Sequence, residues 1–314
     1  MTQGGYGKII VFGEHFVVYG LPALVFALPQ QTRAHAKIIS QPSYVVDQRV
    51  FAHPSLVCSP EQLTRFLTAL TTFFKISYQL EVTLSGDLVV MSGGVGSSAA
   101  AAVATVRALN DTLNLNLDEC AVNNAALQAE KLAHGNPSGI DNAAATFGGS
   151  FVFEKEKGRT SVVPGTTLHC VLIDSGMRSQ TSTVVAAVQN FRATQPHNFE
   201  RLCRDYSKLF TLGLRACQQG NLTALGMCMN MNQQFLRQLG VSNAHLENII
   251  SLTLGAGALG AKITGAGAGG VVVALTKNKQ QQHNVATALR SHGYFVTCFT
   301  FALPLHNTQQ LVAS

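Results

Sequence analysis

A mixed fold of strands and helices in two parts is what this sequence predicts, and three observations carry it. The stretch "GKIIVFGEHFVVYGLPALVFAL" (7–28) is rich in Val, Ile and Phe and is punctuated by Gly13 and Gly20, the composition of paired strands. The second half carries long segments with apolar residues at helical spacing. Between them and the C-terminus, "GAKITGAGAGGVVVAL" (260–275) reads as strand, glycine loop and strand. The chain has 314 residues, 46% of them hydrophobic and 12% charged. That is a globular composition with a large interior, long enough for two domains.

In chain order, 7–28 reads as two strands joined by a turn, and "RAHAKIIS" and "YQLEVTLSGDLVV" as further strands. "PEQLTRFLTALTTFF" between them is an amphipathic helix. Residues 98–113 form a helix apolar nearly all round, which predicts burial. "LDECAVNNAALQAEKLAHG" is a second helix closed by Gly135, and "PSGIDNAAATFGG" a short third one ahead of the strand "SFVFEK". After the loop "VVPGTT", taken as the boundary between domains 1–165 and 166–314, "CVLIDSG" is a strand. Helices follow near 179–193, 198–219, 221–238 and 243–257. A helix near 279–292 and the strand "YFVTCFTFAL" close the chain.

Composition excludes several functions. Net charge is +6, but the basic residues are scattered, with neither the clustering nor the aromatic signature of a nucleic-acid surface. Seven cysteines, an odd number without C-x-x-C, argue against a disulfide framework or zinc site and for a reducing, cytoplasmic setting. The N-terminal apolar stretch is broken by Glu14 and His15 and is not a signal peptide; no membrane partner is expected. Low charge content leaves apolar surface that a homodimer would bury.

The stretch "SGGVGSSAAAAV" (92–103) is the first candidate for chemistry. It fits G-x-G-x-x-A, yet a second helix follows where a dinucleotide fold needs an acid-ended strand, and no G-K-[ST] completes a Walker loop. A phosphate cradle fits better: glycines turn backbone N–H groups onto an anion, and the helix starting at Ser97 or Ser98 aims its unpaired amides and dipole there. The plain alternative is a serine N-cap after a flexible turn. The second glycine loop, "KITGAGAGG" (262–270), has more small residues than a hairpin turn needs and suits close approach to a ligand.

Four stretches taken together, "GKIIVFGEH", "GGVGSSAA", "EKLAHGNPSGIDN" and "KITGAGAGG", resemble in order and spacing the GHMP kinases, small-molecule kinases named for galactokinase, homoserine kinase, mevalonate kinase and phosphomevalonate kinase. "HGNPSGIDN" and "FGEH" look like the mevalonate-kinase branch. There are departures: Val90, Met91 and Ser92 stand where the family has prolines and an extra glycine, and Val95 and Ala268 replace a leucine and a glycine. The resemblance implies an α+β fold in two domains. The N-terminal one would be like the second domain of ribosomal protein S five and bind ATP; the C-terminal one would be ferredoxin-like.

The resemblance also implies roles. Asp141 would be the base that takes the proton of the substrate alcohol, although S-x-x-D at 138–141 also fits a capping box. Lys8 would contact Asp141 and the transferred phosphate. Gly93, Gly94, Gly96, Ser97, Ser98 and Ala99 would cradle ATP, and Ser98 with Glu130 would hold Mg²⁺, an ion that prefers few protein oxygens. Glu14, His15, Thr181, Gly265, Ala266 and Gly267 would face the substrate, and residues 40–60 the adenine. The implied reaction moves the γ-phosphoryl of ATP to the C5 hydroxyl of mevalonate, in isoprenoid precursor synthesis. Two alternatives stay open at this point: another kinase of the superfamily, acting on a sugar or on phosphomevalonate, and a non-catalytic sensor on the same fold.

Overall fold

The computed structural model describes residues 4–39, 43–46, 68–76, 79–86, 88, 94–134 and 138–302. The first sheet contains β1 (Gly5–Phe12), β2 (Ala23–Ile39), β3 (Ser43–Val46), β4 (Gln79–Ser85), β5 (Ser150–Glu154) and β6 (Gly158–Ser161). Its order is β3-β4-β2-β5-β6, with β1 also paired to β2. The two strands expected at 23–28 and 33–40 are one continuous strand, β2. Pro29 does not end it, because the β1–β2 register shifts between Tyr6 and Lys8, opposite Pro29, and at a bulge the missing N–H costs no ladder bond. Strands β3 and β6 were not expected; each is only four residues long, and "GRTS" in β6 has no apolar alternation to reveal it.

Helices α1 (Ser97–Leu113) and α3 (Ile140–Phe147) lie on this sheet, and α2 (Glu119–His134) packs against both. Alanines let α1 lie close on β2, and Ala99 to Ala104 are all buried. Residues 68–73 are the described part of the helix expected at 60–74. Gly135, expected to cap α2, lies outside the described residues.

The second sheet holds β7 (Leu168–Asp174), β8 (Gly260–Thr264), β9 (Val271–Thr276) and β10 (Phe295–Phe301), all antiparallel, in the order β10-β7-β9-β8. Counted within this half, that is the 4-1-3-2 order of a ferredoxin-like unit. Four helices enter between its first two strands: α4 (Thr181–Thr194), α5 (Pro196–Gln218), α6 (Leu222–Gln238) and α7 (Ala244–Gly255). Helix α8 (Lys279–Ser291) joins β9 to β10. The fold is α+β, and the principal buried cluster runs through both halves, from Ile9, Phe12 and Phe26 to Leu172 and Val273. Gly213 on α5 permits this closeness, since a Cβ there would sit 2.5 Å from the Phe12 ring. Among the described residues no helix is long and apolar enough to cross a membrane.

Candidate active site

The site grows from the edge of β1. Lys8 is buried, and its backbone N–H donates to the Val95 carbonyl at 2.8 Å, so the glycine-serine turn is stitched to the strand. Its Nζ donates to the Gly94 carbonyl at 3.0 Å and stands 3.4 Å from Asp141 Oδ1. The turn needs its glycines. Gly94 and Gly96 have φ of 104° and 74°, and a Cβ on Gly96 would lie 3.0 Å from Lys8 Cγ. Gly93 and residues 40–60, apart from β3, lie outside the described residues.

Helix α1 starts at Ser97 with Gly96 as its N-cap, and no side chain caps it, which removes the serine-cap alternative. The first intrahelical bond runs from Ala100 N to Gly96 O at 2.9 Å, so the amides of Ser97, Ser98 and Ala99 precede the ladder. The Ala99 side chain is packed in the core, leaving only its amide for a ligand. Ser97 Oγ is buried with no hydrogen-bond partner among the described residues. A buried hydroxyl beside the first-turn amides at a positive helix end has the donor set for an anion.

Ser98 Oγ donates to Glu130 Oε1 at 2.7 Å. Glu130 is buried, not the exposed helix glutamate that its spacing from His134 also allowed. Burial pushes its carboxyl up from the ordinary 4.5 to about 7; the Ser98 hydroxyl opposes the shift and the charge of Asp141 adds to it. Between those values the folded chain keeps a proton that the unfolded chain has released. This contribution to stability is therefore full below pH 4.5 and is lost as pH rises to about 7. Replacing Glu130→Gln is expected to remove a decline on the order of 3 kcal/mol. Thermal midpoints of both proteins across that pH range, without divalent ions, check it; parallel curves contradict it.

Asp141 lies in the first turn of α3, whose N-cap is Gly139 with φ 85°. Ser138 does not cap that helix; its Oγ receives only a 3.4 Å contact from the Ile140 amide. Asp141 faces Lys8 instead, with 43% of its side chain exposed. Its neighbour Asn142, which sequence reasoning passed over, is buried with both amide atoms unpartnered among the described residues. The signal was there to be read: a polar residue directly after the acid, on a short helix that is mostly apolar.

The second domain meets β1 at the same edge. Ile10 N donates to Thr264 Oγ1 at 2.9 Å. Gly265 packs on the first glycine turn, where a Cβ would stand 2.8 Å from Gly94 Cα. The His15 ring bonds through Nε2 to the Ala266 carbonyl at 2.7 Å. A carbonyl only accepts, so Nε2 carries the proton. Burial pushes His15 down, while this bond raises it. Gly267 (φ 86°) also has no room for a side chain, its Cβ falling 2.3 Å from the Val241 carbonyl.

Thr181 begins α4, exposed, behind Gln180 as N-cap; Ser179, two residues earlier, donates to the Gly267 carbonyl at 2.6 Å. Glu14 is fully buried and makes an ion pair with Lys262. The structure therefore places Glu14 on a cation of β8 rather than open to a ligand. Burial pushes Glu14 up and Lys262 down, and each charge opposes the shift of the other.

Lys8, the turn from Gly94 to Ser98, Glu130 and Asp141 thus converge on one side of β1, and Gly265 to Gly267 of the second domain close it, held to His15 through the Ala266 carbonyl. The descriptions "GHMP kinases N terminal domain" and "GHMP kinases C terminal" match residues 63–149 and 214–294. The mevalonate kinase of Pyrococcus furiosus is 32% identical over 310 residues, covering 91% of each chain. The chain is a GHMP kinase. The mevalonate kinase of Archaeoglobus fulgidus is 33% identical over 285 residues, 89% of this GHMP kinase and 94% of the relative. Among solved structures, L. major mevalonate kinase in complex with R-mevalonate superposes with TM-score 0.83 at 31% identity, over 96% of this chain and 99% of that one. Methanococcus jannaschii mevalonate kinase, at 20% identity and TM-score 0.80, shares the fold.

Proposed function

We propose that this GHMP kinase transfers the γ-phosphoryl group of ATP to the C5 hydroxyl of (R)-mevalonate, giving ADP and 5-phosphomevalonate, a step of isoprenoid precursor synthesis. The observation that carries the chemistry is Lys8 Nζ standing 3.4 Å from Asp141 Oδ1 at the mouth of the glycine-serine turn. The likeness to mevalonate kinases along nearly the whole chain supports the substrate.

In this reading the amides of Ser97, Ser98 and Ala99 and the free Ser97 hydroxyl bind phosphate oxygens, with Gly93, Gly94 and Gly96 letting the backbone approach. Asp141 accepts the proton of the C5 hydroxyl, and Lys8 holds Asp141 in place and offsets charge that develops on the transferred group. His15, Thr181 and the backbone of Gly265, Ala266 and Gly267 orient the acceptor alcohol and exclude water. Ser98 and the buried Glu130 form an oxygen pair suited to Mg²⁺, which, when bound with ATP, neutralises phosphate charge. Glu14 faces the acceptor only through what it fixes, since its carboxylate is taken up by Lys262.

The same proposal takes 1–165 and 166–314 as the two domains, a homodimer as the assembly and the cytoplasm as the setting. Six described cysteines are all free, two of them exposed, which supports a reducing compartment. The test is Mg²⁺-dependent ADP release on mevalonate, phosphomevalonate, galactose and homoserine. Turnover confined to mevalonate is expected. Faster turnover on another alcohol overturns the substrate, and ATP binding without turnover on any overturns the enzyme.

A further inference from the structure

Among the described residues, no strand covers the outer edge of β1. Its backbone groups are met one by one by partners from elsewhere: Lys8 N by the Val95 carbonyl, Ile10 N by Thr264 Oγ1, and Ile10 O by Lys262 Nζ at 3.3 Å. Lys262 has no exposed surface. Its ammonium also donates to Glu14 and to the Ile263 carbonyl at 2.6 Å, so all three of its protons are placed. Glu14 takes a further 3.5 Å contact from Asn232 of α6. Around this point Phe16 stacks on Tyr206 of α5 at 4.1 Å, and Tyr206 donates to the Pro22 carbonyl at 2.6 Å.

Three elements of the second domain, β8, α5 and α6, therefore hold residues 13–22 by specific contacts. Lys262 bridges Ile10, two residues from Lys8, and Glu14, the residue before His15. His15 is kept at φ 63°, a conformation that a side chain bearing Cβ adopts only when its surroundings impose it.

We infer that Lys262 is a positioning residue for phosphoryl transfer: by bridging the Ile10 carbonyl and the Glu14 carboxylate it fixes where β1 presents Lys8 and His15 to the substrates. The inference rests on the kinase reading above. A buried ammonium confined to packing would affect how much protein folds; one that sets the place of Lys8 affects the rate of each folded molecule. Misplacement by about 1 Å is enough to lower a rate about 100-fold.

The experiment compares wild type, Lys262→Met and Lys262→Arg, with kcat expressed per nucleotide-binding site counted by calorimetric titration with an ATP analogue. Lys262→Met is expected to lower kcat per site about 100-fold while nucleotide affinity stays within about threefold, and Lys262→Arg, which keeps the charge but not the reach, to regain part of the loss. A Lys262→Met kcat per site within about threefold of wild type overturns the inference, whatever its thermal midpoint. If Lys262→Met does not fold, Lys262→Arg decides. A loss of about tenfold or more at unchanged nucleotide affinity supports positioning, and a smaller loss overturns it. Absence of turnover in the wild type defeats the kinase reading itself, so the two failures are separable.

Discussion

Asp141→Asn is expected to lower kcat by about 10²–10⁴-fold, the range of a lost general base. The substitution is isosteric, and the Asn oxygen still accepts from Lys8 Nζ, now 3.4 Å from Asp141 Oδ1. What disappears is the capacity to take a proton. The Asp141 side chain is 43% exposed, but Lys8 is buried and loses its counter-charge, so the thermal midpoint is expected to fall. Nucleotide affinity should hold, because the proposed phosphate donors belong to the turn and to α1. Steady-state kinetics with a parallel nucleotide titration checks this. A kcat within tenfold of wild type would remove Asp141 from the role of an essential base, as expected of phosphoryl transfer with little bond formation to the nucleophile.

Lys8→Met is expected to cost about 10²–10³-fold in kcat, the scale of one preorganised electrostatic contact. Methionine matches the buried volume, so the packing against Gly96 survives. The Gly94 carbonyl loses its 3.0 Å donor and Asp141 its counter-charge. Lys8→Arg should not rescue. A Cβ on Gly96 would be 3.0 Å from Lys8 Cγ, and a planar guanidinium is bulkier than the ammonium in that gap. Recovery of kcat in Lys8→Arg to within about threefold of wild type would show that the charge matters and its position does not.

Much of the fold was legible because its elements declare themselves. Amphipathic helices 181–194, 196–218, 222–238 and 244–255 stand within about two residues of their expected bounds, since apolar spacing and capping residues such as Asn221 and Asn243 mark them. What escaped was pairing. The merging of two expected strands into β2 depends on a bulge that tolerates Pro29, and a bulge belongs to two strands at once. Strand β3 pairs parallel with β4 through only four residues, too few for periodicity to register.

The site divides in the same way. Lys8, Ser98, Glu130 and Asp141 stand in recognisable motifs, and the structure brings them together. Glu14 sits in such a motif too, yet whether it faces ligand or protein depends on Lys262, some 248 residues away in sequence. A lysine in the otherwise apolar "GAKIT" strand was the available sign: a fully buried cation requires an anion, and Glu14 is that anion. Ser97 shows the converse. Its hydroxyl fits an N-cap by sequence, but Gly96 takes that position with φ 74°, which leaves the hydroxyl free.

In the proposed reaction Lys8 and Asp141 serve transfer to a primary alcohol, and the position of the phosphoryl group in the product reads whether they do. Phosphorus NMR of the product formed from ATP and (R)-mevalonate reads that position through coupling to neighbouring protons. A single phosphomonoester resonance split by the two C5 protons is expected, growing about 10²–10⁴-fold more slowly with Asp141→Asn. An unsplit resonance, from phosphorylation of the tertiary hydroxyl or the carboxylate, or a split resonance growing as fast with Asp141→Asn as with wild type, would contradict it.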